Sequence, residues 1–412
     1  MTSTWEPSVA EVQAQEARTT RLVQVRERLI GAASQTRVFE LLVGVALTFS
    51  RVSFGSRLPI EILLVILVLG VAAFRRPTLN IHHIQLWVVM LMGAMLIWAV
   101  AVSVWTGQPW TQRAFRIFLL FLFAVCIAQG RIYWKSIVVG GAAGLIFVNA
   151  PSWFLGVGAE NYVGNLTGWL VDKNVSGMFY GIFAVLGLCL FTHTWYKVVY
   201  FVVMFGLLWL TGSRTSIAGC LLALVWWFLR PRAQLWLRLV AAAVGVWVLV
   251  AVESRWSQVG EFSDRTGTDW YRHQIDMATS AKLAITPWYG QGLNTGWVAL
   301  SDTRTAFFHN SYAQLRVEGG WPLVVAMLML VVIVAFGIFG INKEVSGDQR
   351  AIEAGIVVLL VCAWKIGEAF FTLPCLFLVG AAIAERYGTP VVAPSPVMLR
   401  VNDGVAEQGT DA

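Results

Sequence analysis

Apolar stretches near membrane-crossing length follow one another along most of this chain, at residues 38–54, 59–74, 84–105, 113–128, 136–155, 175–191, 198–211, 215–229, 237–252, 321–341, 351–371 and 373–387. A helix needs about 20 apolar residues to span a bilayer, with about 17 tolerated. The pattern therefore predicts an all-α polytopic membrane protein of about twelve transmembrane helices. One long polar segment, 253–320, separates the ninth stretch from the tenth. Within it, residues 269–285 carry helical apolar spacing, with Trp270, Ile275, Ala278, Ala281 and Leu283 as the expected packed face. Pro287, Gly290 and Gly292 then close that helix in a turn.

Composition agrees with this layout. Hydrophobic residues make up 58% of the 412 and charged residues 13%, a balance that a soluble core does not require. Many of the 20 tryptophans fall at the ends of apolar stretches, where an amphipathic ring anchors at the interface. The five cysteines, Cys126, Cys189, Cys220, Cys362 and Cys375, lie inside apolar stretches without CxxC spacing. They suggest neither a disulfide framework nor a metal site. The net charge of +7 comes without an aromatic-basic motif, which argues against a nucleic-acid partner and for a role in membrane topology.

Basic residues in short loops are retained on the cytoplasmic side. With the N-terminus inside, Arg75, Arg76, Arg131, Lys135, Lys197, Arg230, Arg232, Arg238, Lys343 and Arg350 are all cytoplasmic. The arm 1–37, which carries Arg18, Arg21, Arg26, Arg28 and Arg37, is then cytoplasmic, with no evident small-residue cleavage site of a signal peptide. Residues 38–388 form the membrane domain, 253–320 its large outer loop and 389–412 a disordered cytoplasmic tail. Lys173, Arg214, Arg265, Arg272 and His309 fall on the outer face.

Each of these residues has an ordinary alternative role. Arg214, in LTGSRTSIAG, either snorkels to headgroups or, with Gly212 and Ser213 opening the next helix, favours an anion at a helix start. Arg265 and Arg272 can pair with Asp264, Asp269 or Asp276 on a solvated face. His309 opens HNSYAQLRVEGG just before a helix capped by Asn310 or Ser311. Gly319 and Gly320 interrupt that helix, and Pro322 begins the span that follows. Beside cations, a histidine with an ordinary pKa of about 6.5 becomes a candidate base.

Taken together, TGSRTS, the spacing of Arg272 to Pro287, Gly290 and Gly292, and HNSYAQLRVEGG resemble the successive motifs of the O-antigen ligase and Wzy-type polymerase family over residues 196–341. The resemblance implies a GT-C-like membrane fold and an inverting, metal-independent glycosyltransferase of surface polysaccharide assembly, without a cofactor. Its partners are a glycan on a polyprenyl diphosphate, such as undecaprenyl diphosphate, at the outer face of the plasma membrane, and an acceptor hydroxyl on a glycan, lipid or protein. His309 then corresponds to the family's histidine and Arg214 to its arginine after the seventh span, with Arg272 or its neighbour Arg265 as the loop arginine.

Arginine suits a departing diphosphate, being permanently charged and able to donate paired hydrogen bonds. Arg214, Arg272, Arg265 and Lys173 are accordingly the expected diphosphate ligands and His309 the expected base, with Asn310 and Glu318 in support. Arg113 and Arg116 read as headgroup contacts. Glu318 reads as a partner of Arg316 that helps to fix the helix break. Lys365 and Glu368, three residues apart on the eleventh stretch, read as each other's partners. A polymerase joining lipid-linked repeats fits the same motifs, and a transporter of a small anion or solute is the competing class. Transport predicts charge along several spans, whereas ionisable residues here concentrate outside.

Overall fold

The computed structural model describes residues 37–52, 60–158, 162, 164–231, 234, 236–237, 240–241, 243–245, 266–301, 303–337 and 345–391. The expected N-terminal arm up to residue 36, most of the ninth stretch, Arg265 and the tail from 392 lie outside the described residues.

The protein is mostly helical. In chain order, α1 is Val38–Ala46, α2 Ile60–Ala73, α3 His82–Trp105, α4 Thr111–Ala128, α5 Trp134–Phe154 and α6 Lys173–Leu190. They are followed by α7 Thr194–Leu210, α8 Arg214–Leu229, α9 Thr266–Ile285, α10 Ser311–Ala335, α11 Gly347–Cys362 and α12 Leu373–Tyr387. Five helices are long and apolar enough to cross a membrane, from residue 84 of α3 and over the whole of α4, α5, α6 and α10. Four shorter apolar helices accompany them, at Val38–Phe49, Ile60–Ala73, Thr194–Leu210 and Arg214–Leu229. Together they make a multi-pass helical membrane protein.

Sheet is minimal. Leu79–Asn80 pairs antiparallel with Thr389–Pro390, so the expected disordered tail begins with two paired residues. Strands β2, Trp297–Ser301, and β3, Arg304–Phe307, form an antiparallel hairpin. Period-2 patterning does not announce that hairpin, because its buried positions, Val298 and Ala306, are few.

Two apolar cores divide the described residues. The larger fills the bundle. The smaller joins Ile275 of α9, Val298 and Ala306 of the hairpin, Phe308, and Ala313 and Val317 of α10. It binds α9 and the hairpin to the start of α10 as a small layer beside the bundle.

Ion pairs, several of them around a buried carboxylate, gather at the two ends of the bundle. At one end Glu40 of α1 is held by Arg75 and by Arg37 at 3.5 Å, and Lys135 of α5 pairs with Asp348 of α11. At the same end Glu353 of α11 accepts from Arg230 at 2.7 Å, Arg386 at 2.9 Å and the Trp226 indole at 3.1 Å. At the other end Arg113 and Arg116 of α4 meet Glu318 and Glu368. Ionisable residues are thus not concentrated at one end, contrary to the sequence expectation. A carboxylate removed from water must find cations, and these pairs lock helix ends together.

Candidate functional site

The second cluster decides the shape of the candidate site. Glu318, buried in α10, accepts at one oxygen, Oε2, from both Arg113 Nη2 at 2.9 Å and Arg113 Nε at 3.2 Å. Glu368 pairs with Arg113 at 3.1 Å and Arg116 at 2.7 Å, and Arg116 also donates to the Phe371 carbonyl at 3.0 Å. Arg113 and Arg116 are therefore internal ion-pair partners and not headgroup contacts. Arg316 is not the partner of Glu318. It donates to the carbonyls of Pro287 at 2.6 Å and Thr286 at 3.0 Å, closing the C-terminal end of α9.

The eleventh stretch is not one helix. The α11 helix ends at Cys362, and residues 363–372 form a turn before α12. That turn takes Glu368 to the arginines of α4 and away from Lys365, so the expected Lys365–Glu368 pair gives way to Glu368–Arg113 and Glu368–Arg116. The turn also clamps the start of α10. Ser311 N donates to the Ala363 carbonyl at 2.8 Å, Ser311 Oγ donates to the Ile366 carbonyl at 2.5 Å, and Ala369 N donates to Ser311 Oγ at 2.9 Å. A side chain at Gly367 would strike the Phe308 carbonyl, so only glycine permits this approach.

The helix break is built as the sequence predicts. Gly320 has φ 69° and ψ −166°, a conformation open to glycine. The break leaves upstream carbonyls without helical partners. Those of Val317 and Glu318 accept from Gln291 N at 2.6 Å and Gly292 N at 3.0 Å, and the Trp98 indole donates to the Gly319 carbonyl at 2.7 Å. Trp321 N in turn donates to the Trp288 carbonyl at 2.8 Å. The Pro287–Gly290–Gly292 segment is thus the backbone partner of the break. Gly320→Ala, whose new methyl would drive into the Trp288 carbonyl, is expected to cost at least ~1–3 kcal/mol of stability, measured by thermal unfolding in detergent.

These supports hold His309 half-buried between Phe308 and the start of α10. Asn310 is the cap of α10: its Oδ1 accepts from Tyr312 N at 2.9 Å and Ala313 N at 3.0 Å. These two bonds occupy the amide oxygen, so the support that Asn310 gives the site is to hold the start of α10. Burial and the Arg272 charge hold the imidazole below its ordinary pKa, with Lys365 adding to them, while Asp276 and Asp172 pull the other way. Arg272 and Asp276 stand one turn apart on α9, on the side away from Trp270.

Asp172 is a site residue that the sequence reading missed. It caps α6, its Oδ1 accepting from Asn174 N at 2.8 Å and Val175 N at 2.9 Å, and its Oδ2 accepts from the Tyr162 hydroxyl at 2.9 Å. Burial and Asp172 push the Tyr162 phenol up to about 12, so it remains a donor. Lys173, buried at the first position of α6, lies 5.4 Å from the centre of the Tyr162 ring. The Asp before Lys173 in VDKN is a legible cap signal; its reach to His309 is not.

Arg214 opens α8 directly after the turn at Gly212 and the cap Ser213. Ser213 Oγ reaches Asn174 Oδ1 at 3.4 Å, which puts the starts of α6 and α8 side by side. The arrangement therefore brings Arg272, Lys365, Asp172 and Asp276 within electrostatic reach of His309. Lys173 and Arg214 stand at the two adjoining helix starts. Glu318 lies on α10 beyond His309, engaged with Arg113 and with Gln314 at 3.3 Å. Among the described residues, no three His, Cys, Asp or Glu side chains gather as a metal site would need.

Such a site can bind an anion on cations while a neutral imidazole accepts a proton. Fold and site define a multi-pass helical membrane protein with a cation-bordered histidine at one end of its bundle. Residues 199–328 match the family model described as O-antigen ligase, which supports the resemblance to the O-antigen ligase/Wzy-type family over that region. The matched region contains Arg214, Arg265, Arg272, His309, Asn310 and Glu318, and leaves out Lys173 and the arginines of α4. No curated protein matches the chain. That match supports a glycosyl-transferring role in surface polysaccharide assembly, a reaction whose general partners are a lipid-linked glycan and an acceptor.

Proposed function

We propose that this enzyme moves a glycan from a polyprenyl diphosphate to an acceptor hydroxyl, with inversion and without a metal, at the outer face of the plasma membrane. In this reading the bundle is a GT-C-like fold of about twelve spans with both termini in the cytoplasm. The supporting observation is the half-buried His309, kept below its ordinary pKa beside Arg272 and Lys365 in the family-matched region.

His309 takes the proton of the acceptor hydroxyl as that oxygen attacks the anomeric carbon. The bond to the diphosphate oxygen breaks on the opposite face, so the centre inverts and the electron pair leaves on the diphosphate. Arg214, Arg272 and Lys173 receive that charge, with Arg265 as a further candidate from the same loop. Positive side chains fixed before the reaction need little reorganisation as charge develops.

Reconstitution with defined polyprenyl-diphosphate glycans, following donor loss by mass spectrometry with candidate acceptors present, tests the reaction. Donor loss that depends on an acceptor hydroxyl is expected; no donor loss with any glycan would overturn the reading. Arg214→Lys keeps the charge but loses the planar fork, so transfer is expected to fall at least about 10-fold, the equivalent of 1.4 kcal/mol. Full activity of that variant would argue against a paired contact with the diphosphate.

A further inference from the structure

The sequence spacing assigns Trp270 and Ala281 of α9 to a packed face, and the structure turns both outward. Buried Ile275 and half-buried Leu283 pack against the hairpin and the start of α10, because the smaller core lies on that side. Trp270 is 63% exposed, Met277 57% and Ile285 78%, with Ala281 also exposed and Trp288 63% exposed just past the helix end. Intervals of seven, four and four residues align Trp270, Met277, Ala281 and Ile285 on one side of a helix with 3.6 residues per turn, and Trp288 follows just past its end. The helix thus has two apolar sides, and only one is covered by described residues.

Both ends of the stripe lie at the depth where bundle helices begin. At its C-terminal end the Trp288 carbonyl accepts from Trp321 N, where α10 resumes after its break, and the Trp288 ring lies 6.0 Å from that of Trp98 on α3. Outward-facing Trp321, Val325 and Met329 continue the apolar surface down α10, as Ile97 and Met90 do down α3. Toward the other end, Arg272 acts on Tyr162 and, with Lys365 and Asp172, on His309, alongside the start of α6 and the turn between α11 and α12. A 20-residue helix is about 30 Å long, enough to run across the ends of several bundle helices.

We propose that this stripe is a bilayer-contact surface, by which α9 lies in the headgroup and upper acyl region of the leaflet at the site's end of the bundle. The occupant is lipid because the stripe meets, at Trp288, the exposed apolar sides of the membrane-length helices α3 and α10 and carries tryptophan at both ends, as interfacial segments do. The opposite side of the same helix presents Arg272 and Asp276. Immersion of the stripe thereby holds the Arg272 guanidinium at headgroup depth, where a phosphate attached to a membrane lipid resides. The bilayer becomes one wall of the site's entrance.

The test is spin-label accessibility in the full-length protein, in nanodiscs of phosphatidylethanolamine and phosphatidylglycerol. Met277→Cys and Ile285→Cys carry the label, Thr303→Cys at the exposed hairpin tip serves as the water-facing control, and the parent with its native cysteines gives the background. The ratio of oxygen to nickel-chelate accessibility at 277 and 285 is expected to exceed that at 303 several-fold. A ratio equal to that at 303 would overturn the proposal by placing the stripe in water. Inaccessibility to both reagents would overturn it by showing a protein covering. The measurement needs no substrate, so its outcome is independent of the glycosyl-transfer reading.

Discussion

His309→Ala is expected to lower glycosyl transfer by about 10²–10⁴-fold, the usual contribution of a positioned acid or base, while leaving the protein folded. Its neighbours are anchored through Phe308, Asn310 and Ser311, so the imidazole can be removed without releasing the start of α10. Transfer measured with purified protein of unchanged melting temperature checks this; an unaltered rate would exclude the base.

The pH dependence supplies a sharper signature. Because burial and Arg272 lower the pKa of His309, the imidazole is neutral at pH 7 and gains its proton only below the ordinary value of about 6.5. Transfer should stay level around neutrality and decline on the acid side. The folded state also resists this proton more than the unfolded chain, so the residue's contribution to stability is present above about 6.5 and is lost as pH falls. Arg272→Ala removes one cause of the depression, and the acid limb of its residual activity should move up towards the ordinary histidine value.

Glu318→Ala is expected to be the most destabilising change considered, about 3–5 kcal/mol, because it leaves a buried charge without its partner. Arg113 would lose its paired contact and retain only Glu368, which Arg116 already shares. Thermal unfolding in detergent measures the loss. The double variant Arg113→Ala/Glu318→Ala should cost less than the two single changes added together, since residues in one ion network couple. Additive costs would mean that the pair carries no interaction of its own.

Much of the bundle is legible in the sequence because a membrane-spanning helix needs a long apolar run. A helix occupies every predicted stretch other than 237–252, most of which lies outside the described residues. The break at Gly319 and Gly320 is equally legible, since paired glycines followed by Pro322 have a local conformational meaning. The motif order also points to the family, and the matched region contains His309, Arg214 and Arg272.

The errors concern partners. Glu318 looks like a neighbour of Arg316, yet the two side chains leave α10 in different directions, one to α4 and the other to the end of α9. Lys365 and Glu368 look like a helical pair, but the helix ends at Cys362 and their spacing loses its helical meaning. Trp270 and Ala281 look buried because α9 has apolar residues on two sides, and periodicity alone does not say which side finds a core. Tyr162 and Asp172 carry no motif and come near the site only through the packing of α6.

By itself the sequence determined what is local: the apolar runs, the cap at Asn310, the glycine break and the family motifs, each fixed by chemistry within a few residues. Tertiary structure alone decided that Arg113 serves Glu318, that the turn at 363–372 clamps His309 beside Lys365, and that α9 turns a tryptophan-ended stripe outward. Charges and apolar faces can be satisfied by any complementary partner within reach, and which partner that is depends on how segments far apart in the chain pack together.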